Sequence, residues 1–163
     1  MTTTNSVWAA NIDCPNRSIG DINCFGTQGD DRMAGTANED SMRALNGDDT
    51  MFGFARNDLM FGEGGDDTMS GGSGDDRMFG DAGNDKINGD SGDDTIFGFP
   101  GADIIKGSSG NDKIFHYVGS TSLVTNPDFD KDIIDCGSGN DEVWINVSVD
   151  HDTAVNCETV HAG

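Results

Sequence analysis

Positive charge is scarce in this sequence. Nine Lys and Arg face thirty Asp and Glu, so the 163 residues carry a formal net charge of −21. That balance excludes nucleic acid and anionic membrane surfaces as partners, because both need cationic side chains against phosphate. It points toward cations instead. Long apolar runs are missing too, and none approaches the ~20 residues of a membrane span. The first residues, MTTTNSVWAANID, lack the basic and apolar pattern of a secretory signal. Export would then use another route, or follow removal of a signal. Catalytic signatures are also absent. His116, His151 and His161 form no H-E-x-x-H, and there is neither a G-x-S-x-G elbow nor a Walker A loop. No enzymatic activity and no catalytic residue are expected. Four cysteines form no C-x-x-C, which argues against zinc and thioredoxin-type chemistry at cysteine. Hydrophobic residues make up only 34% of the chain. With so large a net charge, composition alone would describe a disordered acidic tail.

What is present is a period, and it overrides that description. Asp recurs every nine residues: Asp31, Asp40, Asp49, Asp58, Asp67, Asp76, Asp85, Asp94, Asp103 and Asp112. An apolar residue follows two positions later, at Met33, Met42, Met51, Met60, Met69, Met78, Ile87, Ile96, Ile105 and Ile114. Two further on stands Gly, with Ala44 and His116 as the exceptions. A disordered acidic tract has no reason to hold Asp and Met in phase. Gly71–Phe79 and Gly80–Asn88 read G-x-x-G-x-D-x-U-x, where U is a large apolar residue. Paired acids such as Asp75 and Asp76 recur in most units, whereas a catalytic pair would occur once. Carboxylate and carbonyl oxygens suit hard cations such as calcium rather than zinc or copper.

Over residues 26–116 these units resemble the RTX, or haemolysin-type calcium-binding, nonapeptide repeat. The resemblance implies an all-β fold, a parallel β-roll. This is a right-handed solenoid of nine-residue repeats, each a Gly-rich turn followed by a short strand such as Arg77–Phe79. Two units would close one coil of eighteen residues. One sheet would then point Met33, Met51, Met69, Ile87 and Ile105 inward, and the other Met42, Met60, Met78, Ile96 and Ile114. The resemblance also implies that calcium ions sit between turns stacked on the same side. The ten period Asp residues are thus the expected metal ligands, in two ladders of five. Four gaps per ladder set a ceiling of about eight calcium ions. The strongest sites are expected around Asp67, Asp76, Asp85 and Asp94. Asn38 and Arg56 replace Gly in the turns of Asp40 and Asp58, and Pro100 and Ala102 alter the turn of Asp103. So thin an apolar column is not expected to offset the chain entropy of so many Gly. Calcium binding and folding are therefore expected to be one event.

Three parts are expected along the chain. Residues 1–25 form an N-terminal cap with a degenerate first unit, in which Cys24 takes the inward position and Ile22 replaces Asp. Residues 26–116 form the roll, and residues 117–163 form capping strands with degenerate repeats. The period breaks over 117–131 and resumes at Asp132-Ile133-Ile134 and at Asn140-Asp141. Asp112 to Asp132 spans twenty residues, which reads as one coil plus two. Asp128 to Asp132 resembles the start of an EF-hand but lacks its Gly and Glu, and reads as a loop. Cys14 and Cys24 pair locally near the start, and Cys136 and Cys157 near the end. Two disulfides would suit an extracellular chain, and four thiols a reducing compartment.

The residue after each inward one yields, on one face, an outward column of Phe61, Phe79, Phe97 and Phe115. It is expected to serve self-association or a protein partner, unless 117–163 folds over it. The expectation for function is a secreted or cell-surface protein that folds on calcium and plays a structural, adhesive or self-assembling role. One alternative is the calcium-binding repeat module of a larger exported enzyme or toxin. The other is ice binding, which calls for a flat Thr/Asn row; the outward positions Arg32, Thr50, Thr68, Lys86 and Ile104 are irregular.

Overall fold

Each nine-residue unit contributes one strand, because its out–in–out alternation can bury one apolar side chain only on a pleated surface. The computed structural model describes residues 10–14, 23–116, 131–145 and 152–162. Alternate strands fall in two eight-stranded sheets. The first holds β1 (Asn11–Asp13), β3 (Arg32–Ala34), β5 (Thr50–Ala55), β7 (Thr68–Ser73), β9 (Lys86–Ser91), β11 (Ile104–Ser109), β13 (Ile133–Ser138) and β15 (Thr153–Val155). The second holds β2 (Asn23–Phe25), β4 (Ser41–Asn46), β6 (Leu59–Gly64), β8 (Arg77–Ala82), β10 (Thr95–Phe97), β12 (Lys113–Phe115), β14 (Glu142–Ile145) and β16 (Thr159–Ala162). All pairings are parallel, and the described residues contain no helix. The fold is a parallel β-solenoid, as expected, and it runs to about seven turns because the strands on either side of the ten regular units continue the stack. No helix among the described residues is long and apolar enough to cross a membrane.

The register follows the period. Met51 pairs with Met69 and Met69 with Ile87 in one sheet; Met60 pairs with Met78 in the other. All ten predicted inward residues are fully buried, and the column continues through Ile134 and Val143. Cys24 is buried at the inward position of the first unit, as read from sequence.

Two features differ from expectation. Strands β4 to β9, β11 and β13 run six residues, not three. The second position of the repeat turns the corner with positive φ and stays in the ladder, as at Phe54 (80°), Glu63 (72°), Asp81 (69°) and Asp90 (74°). Each such non-Gly residue costs on the order of 1 kcal/mol or more, so neighbouring coils must hold it in place. Second, Asp132 stacks on Asp103, 29 residues earlier. Against an eighteen-residue coil, 29 − 18 leaves eleven inserted residues. Asp112 and Asp132 therefore lie on opposite edges, and the stretch between them is half a coil plus eleven, not one coil plus two. The expected strand, turn and return over 117–131 and the EF-like start at 128–130 lie outside the described residues, apart from Lys131.

Both cysteine pairs are joined. Cys14 bonds Cys24 and Cys136 bonds Cys157, with Cα–Cα distances of 5.4 and 5.2 Å. The strands after Ile133 stack on the end of the roll and continue both sheets.

Candidate metal centre in the stacked turns

Each coil has one turn per edge, and the Asp before each strand points into its turn stack. All ten predicted Asp residues are buried, at most 4% exposed. Their first oxygen links the coils. On one edge the N–H groups of Asp31, Asp49, Asp67 and Asp85 donate to Oδ1 of Asp49, Asp67, Asp85 and Asp103, at 2.5, 2.8, 2.9 and 2.9 Å. On the other edge the N–H groups of Asp40, Asp58, Asp76 and Asp94 donate to Asp58, Asp76, Asp94 and Asp112, at 2.7–2.9 Å. The ladders do not stop there. Asp103 donates to Asp132 at 2.6 Å, and Asp112 to Asp141 at 2.8 Å. Sequence reasoning saw the pattern resume at Asp132 and Asp141 but left both out of the ligand set.

The second oxygen is different. Oδ2 of Asp49, Asp58, Asp67, Asp76, Asp85, Asp94, Asp103, Asp112 and Asp141 is buried without a hydrogen-bond partner. A buried unpaired carboxylate oxygen is costly, roughly 1–3 kcal/mol or more. In the regular units it aims at the Gly that opens the repeat. A Cβ on Gly62 would overlap Oδ2 of Asp67 and stand 2.6 Å from the Gly80 carbonyl oxygen one coil on. Gly71, Gly80 and Gly89 repeat this, with carbonyls at 2.8, 2.9 and 2.8 Å. Carboxylate and carbonyl oxygens from two coils thus converge on a space that a side chain would fill.

The electrostatics agree. Burial pushes the carboxyls of Asp58 and Asp67 up to about 7, and those of Asp94 and Asp103 up to about 8. Asp49, Asp76, Asp85 and Asp112 rise to about 6 for the same first reason. Backbone N–H groups pull each of them down, and neighbouring carboxylates push up again. Without positive charge, the folded turns favour protons on these oxygens.

A second ladder runs beside the first in the opposite sense, and sequence reasoning missed it. The residue before each Asp donates its N–H to the side-chain oxygen of its counterpart one coil earlier. Asp48 donates to Asp30 at 3.1 Å, Asp66 to Asp48 at 2.9 Å, and Asn84 to Asp66 at 2.8 Å. Asp75, Asp93 and Asn111 do the same on the other edge. The signal was the recurring Asp-Asp or Asn-Asp doublet: this position needs a short side chain with an acceptor oxygen. Ala102 donates its N–H to Oδ1 of Asn84 but has no side-chain oxygen to accept a bond in turn.

From Gly47 to Gly110 the fourth position takes a left-handed backbone. Gly74 has φ 130°, and a Cβ there would overlap the carbonyl of Arg56 in the coil below. Arg56 itself takes φ 72° at that position.

The aromatic column is continuous. Phe61, Phe79, Phe97 and Phe115 stack with centroids 4.8 Å apart, and Trp144 and His161 extend the stack at 4.4 and 4.5 Å. Arg43 caps the other end, 4.5 Å above the Phe61 ring, and pairs with Glu63 at 2.7 Å. The ring faces are occupied by one another, so the edges face outward. The described C-terminal strands lengthen this column rather than cover it.

An all-oxygen donor set, repeated at every coil, buried and short of positive charge, matches calcium, which takes six to eight oxygens at ~2.3–2.6 Å. Fold and turns together define a cation-binding β-solenoid. The model of the RTX calcium-binding nonapeptide repeat matches residues 25–53, 52–87 and 79–114, more than half of the chain. The chain belongs to that family and is a calcium-binding β-roll. No match is found among the curated proteins.

Proposed function

We propose that this chain is a secreted protein that folds as it binds calcium and serves a structural or adhesive role outside the cell, without catalysis. The carrying observation is the set of buried, unpartnered Oδ2 atoms, which only a cation or a proton would satisfy. In this reading Asp49, Asp58, Asp67, Asp76, Asp85, Asp94 and Asp112 hold calcium together with turn carbonyls, and Asp141 joins them. Calcium bound there supplies positive charge and cross-links successive coils; it takes part in no reaction. Extracellular calcium modules bind at ~0.1–1 mM, so such a chain would stay unfolded in a low-calcium cytosol and fold after export. Two disulfides agree with an oxidising destination.

Far-UV circular dichroism during a calcium titration tests the reading, with magnesium as control. A cooperative gain of β structure near millimolar calcium, absent with magnesium, is expected. A β-rich spectrum in excess chelator would overturn calcium-driven folding. The aromatic column is the proposed assembly surface. Light scattering of the calcium-loaded protein should show association that Phe79→Ser and Phe97→Ser reduce; a monomer in both cases removes that role.

A further inference from the structure

His116 stands where the repeat places Gly, at the opening position of the Asp132 unit. In the regular units a side chain at this position would enter the space between coils that the carboxylate oxygens face. Here an imidazole fills that space, and it is buried, 1% exposed. Its Nδ1 contacts Oδ2 of Asp132, and its Nε2 lies 3.4 Å from Oδ2 of Asp152. One ligand atom each from Asp103, His116 and Asp132 lie within 4.8 Å of one another. Oδ2 of Asp103 is buried and unpartnered. The backbone fixes the group from both sides: Asp103 N–H holds Oδ1 of Asp132 at 2.6 Å, and Asp132 N–H holds Oδ1 of Asp152 at 3.1 Å.

We propose that Asp103, His116 and Asp132 form a separate site for one borderline transition-metal ion of the zinc class. Asp152 then acts as the positioning carboxylate. The donor set decides the metal. The other turns offer oxygen alone, which suits calcium, whereas an imidazole nitrogen beside two carboxylates suits zinc and its neighbours. The two ring nitrogens divide the work. With Nδ1 toward the ion, Nε2–H donates to Asp152, which fixes the tautomer and the ring plane, as carboxylates commonly do for ligating histidines. Single ligand atoms this close can draw in to the ~2.0–2.2 Å of zinc bonds through small side-chain rotations. The roll would then carry two kinds of ion, with the zinc-class site at the junction between the regular coils and the C-terminal ones.

The test uses the full chain, folded in millimolar calcium and dialysed against zinc. The expected result is one equivalent of zinc retained against the calcium excess. Cobalt(II) in its place should give a visible absorption band that zinc abolishes. His116→Gly restores the repeat residue and should lower zinc affinity by at least ~100-fold, and Asp152→Asn by about 10–100-fold. Circular dichroism checks that each variant still folds. Calcium-loaded wild type that retains no zinc overturns the proposal. So does equal retention by wild type and folded His116→Gly, and so does an imidazole that serves only as an internal cation and takes no metal. If His116→Gly does not fold, nitrogen NMR of the wild type decides. Zinc should move the Nδ1 resonance of His116 and leave His151 and His161 in place; an unmoved His116 overturns the proposal.

Discussion

The first two turns of the roll and the turns that follow share a sequence pattern but solve one problem differently. At Asp31 and Asp40 the second repeat position is Thr. Thr27 and Thr36 keep negative φ, so their N–H groups donate to Oδ2 of Asp31 and Asp40 at 2.5 and 2.6 Å. Their hydroxyls add bonds of 3.1 Å to the same carboxylates. Oδ2 is drawn to 2.9 Å from the Cβ position of Gly26 and Gly35, farther than in the central turns. From Leu45 onward the second position takes positive φ, its N–H turns away, and Oδ2 is left for a cation. A β-branched Thr resists that left-handed conformation, while Gly, or a side chain unbranched at Cβ such as Leu45, Phe54 or Glu63, reaches it at lower cost. The conformation of one residue thus decides whether the protein's own donors reach Oδ2, while Oδ1 of Asp40 stays buried without a hydrogen-bond partner. Asp31 and Asp40, both expected as ligands, differ from the other eight on this account.

Calcium removal should separate the two regions most widely. Hydrogen exchange with excess chelator is expected to lose protection by orders of magnitude over residues 62–98, and least over 26–43 near the Cys14–Cys24 disulfide. Equal loss throughout would deny the distinction. Next in size is a matched pair of substitutions. Asp85→Asn removes a cation ligand, so it should raise the calcium midpoint several-fold while relieving repulsion in the calcium-free form. Asp31→Asn breaks bonds from Thr27 and should cost roughly 1–3 kcal/mol with or without calcium, read by denaturant unfolding.

Acidity gives a third test. The central carboxyls are raised when folded, to about 6 for Asp85, 7 for Asp67 and 8 for Asp94. The folded form therefore binds more protons than the unfolded chain between about pH 4 and 8. Its calcium-free stability is present in full below the unfolded value near 3.8 and is lost as pH rises through 6 to 8. Calcium binding should release protons in that window and tighten as pH rises. Calcium-free protein that gains β structure from pH 5 to pH 8 would contradict this. The smallest effect tests the turn itself. Thr36→Gly frees the second position to become left-handed and should add one calcium ion by equilibrium dialysis. Gly72→Thr should remove one and cost about 1–3 kcal/mol, since its Cβ meets the Phe54 backbone.

Much of this was legible in the sequence, because the fold is periodic and the period is written in residue types. The inward positions, the period of the Asp residues and the degenerate Cys24 unit follow from counting; the stacking into two Asp ladders follows from the resemblance to the RTX repeat, and the spacing of the cysteines left disulfides and free thiols both open. What was not legible depends on which coil lies above which. The offset of Asp132 onto Asp103 depends on the edge where the inserted residues leave. The opposed directions of the two side-chain ladders depend on backbone N–H orientation, which residue types do not encode. The six-residue strands follow from left-handed Phe54, Glu63 and Asp81, residues whose identities favour no such conformation. His116 read as a gap in the pattern, and only the stacking shows that its ring lies between Asp132 and Asp152.

The sameness of the coils carries a hazard that the ends resolve. A misthreading of the chain by eighteen residues would still lay Asp over Asp, Gly over Gly and Phe over Phe, so the repeats cannot proofread their own alignment. Only non-repeating positions can. Cys14 with Cys24 and Cys136 with Cys157 each join sites that have no copy elsewhere in the chain. The change of the buried column from Met33–Met78 to Ile87–Ile114 gives the interior a direction as well. The two crosslinks therefore act as index marks for the first and last coils, since each closes only a short loop of chain, and the Met-to-Ile change marks the coils between them.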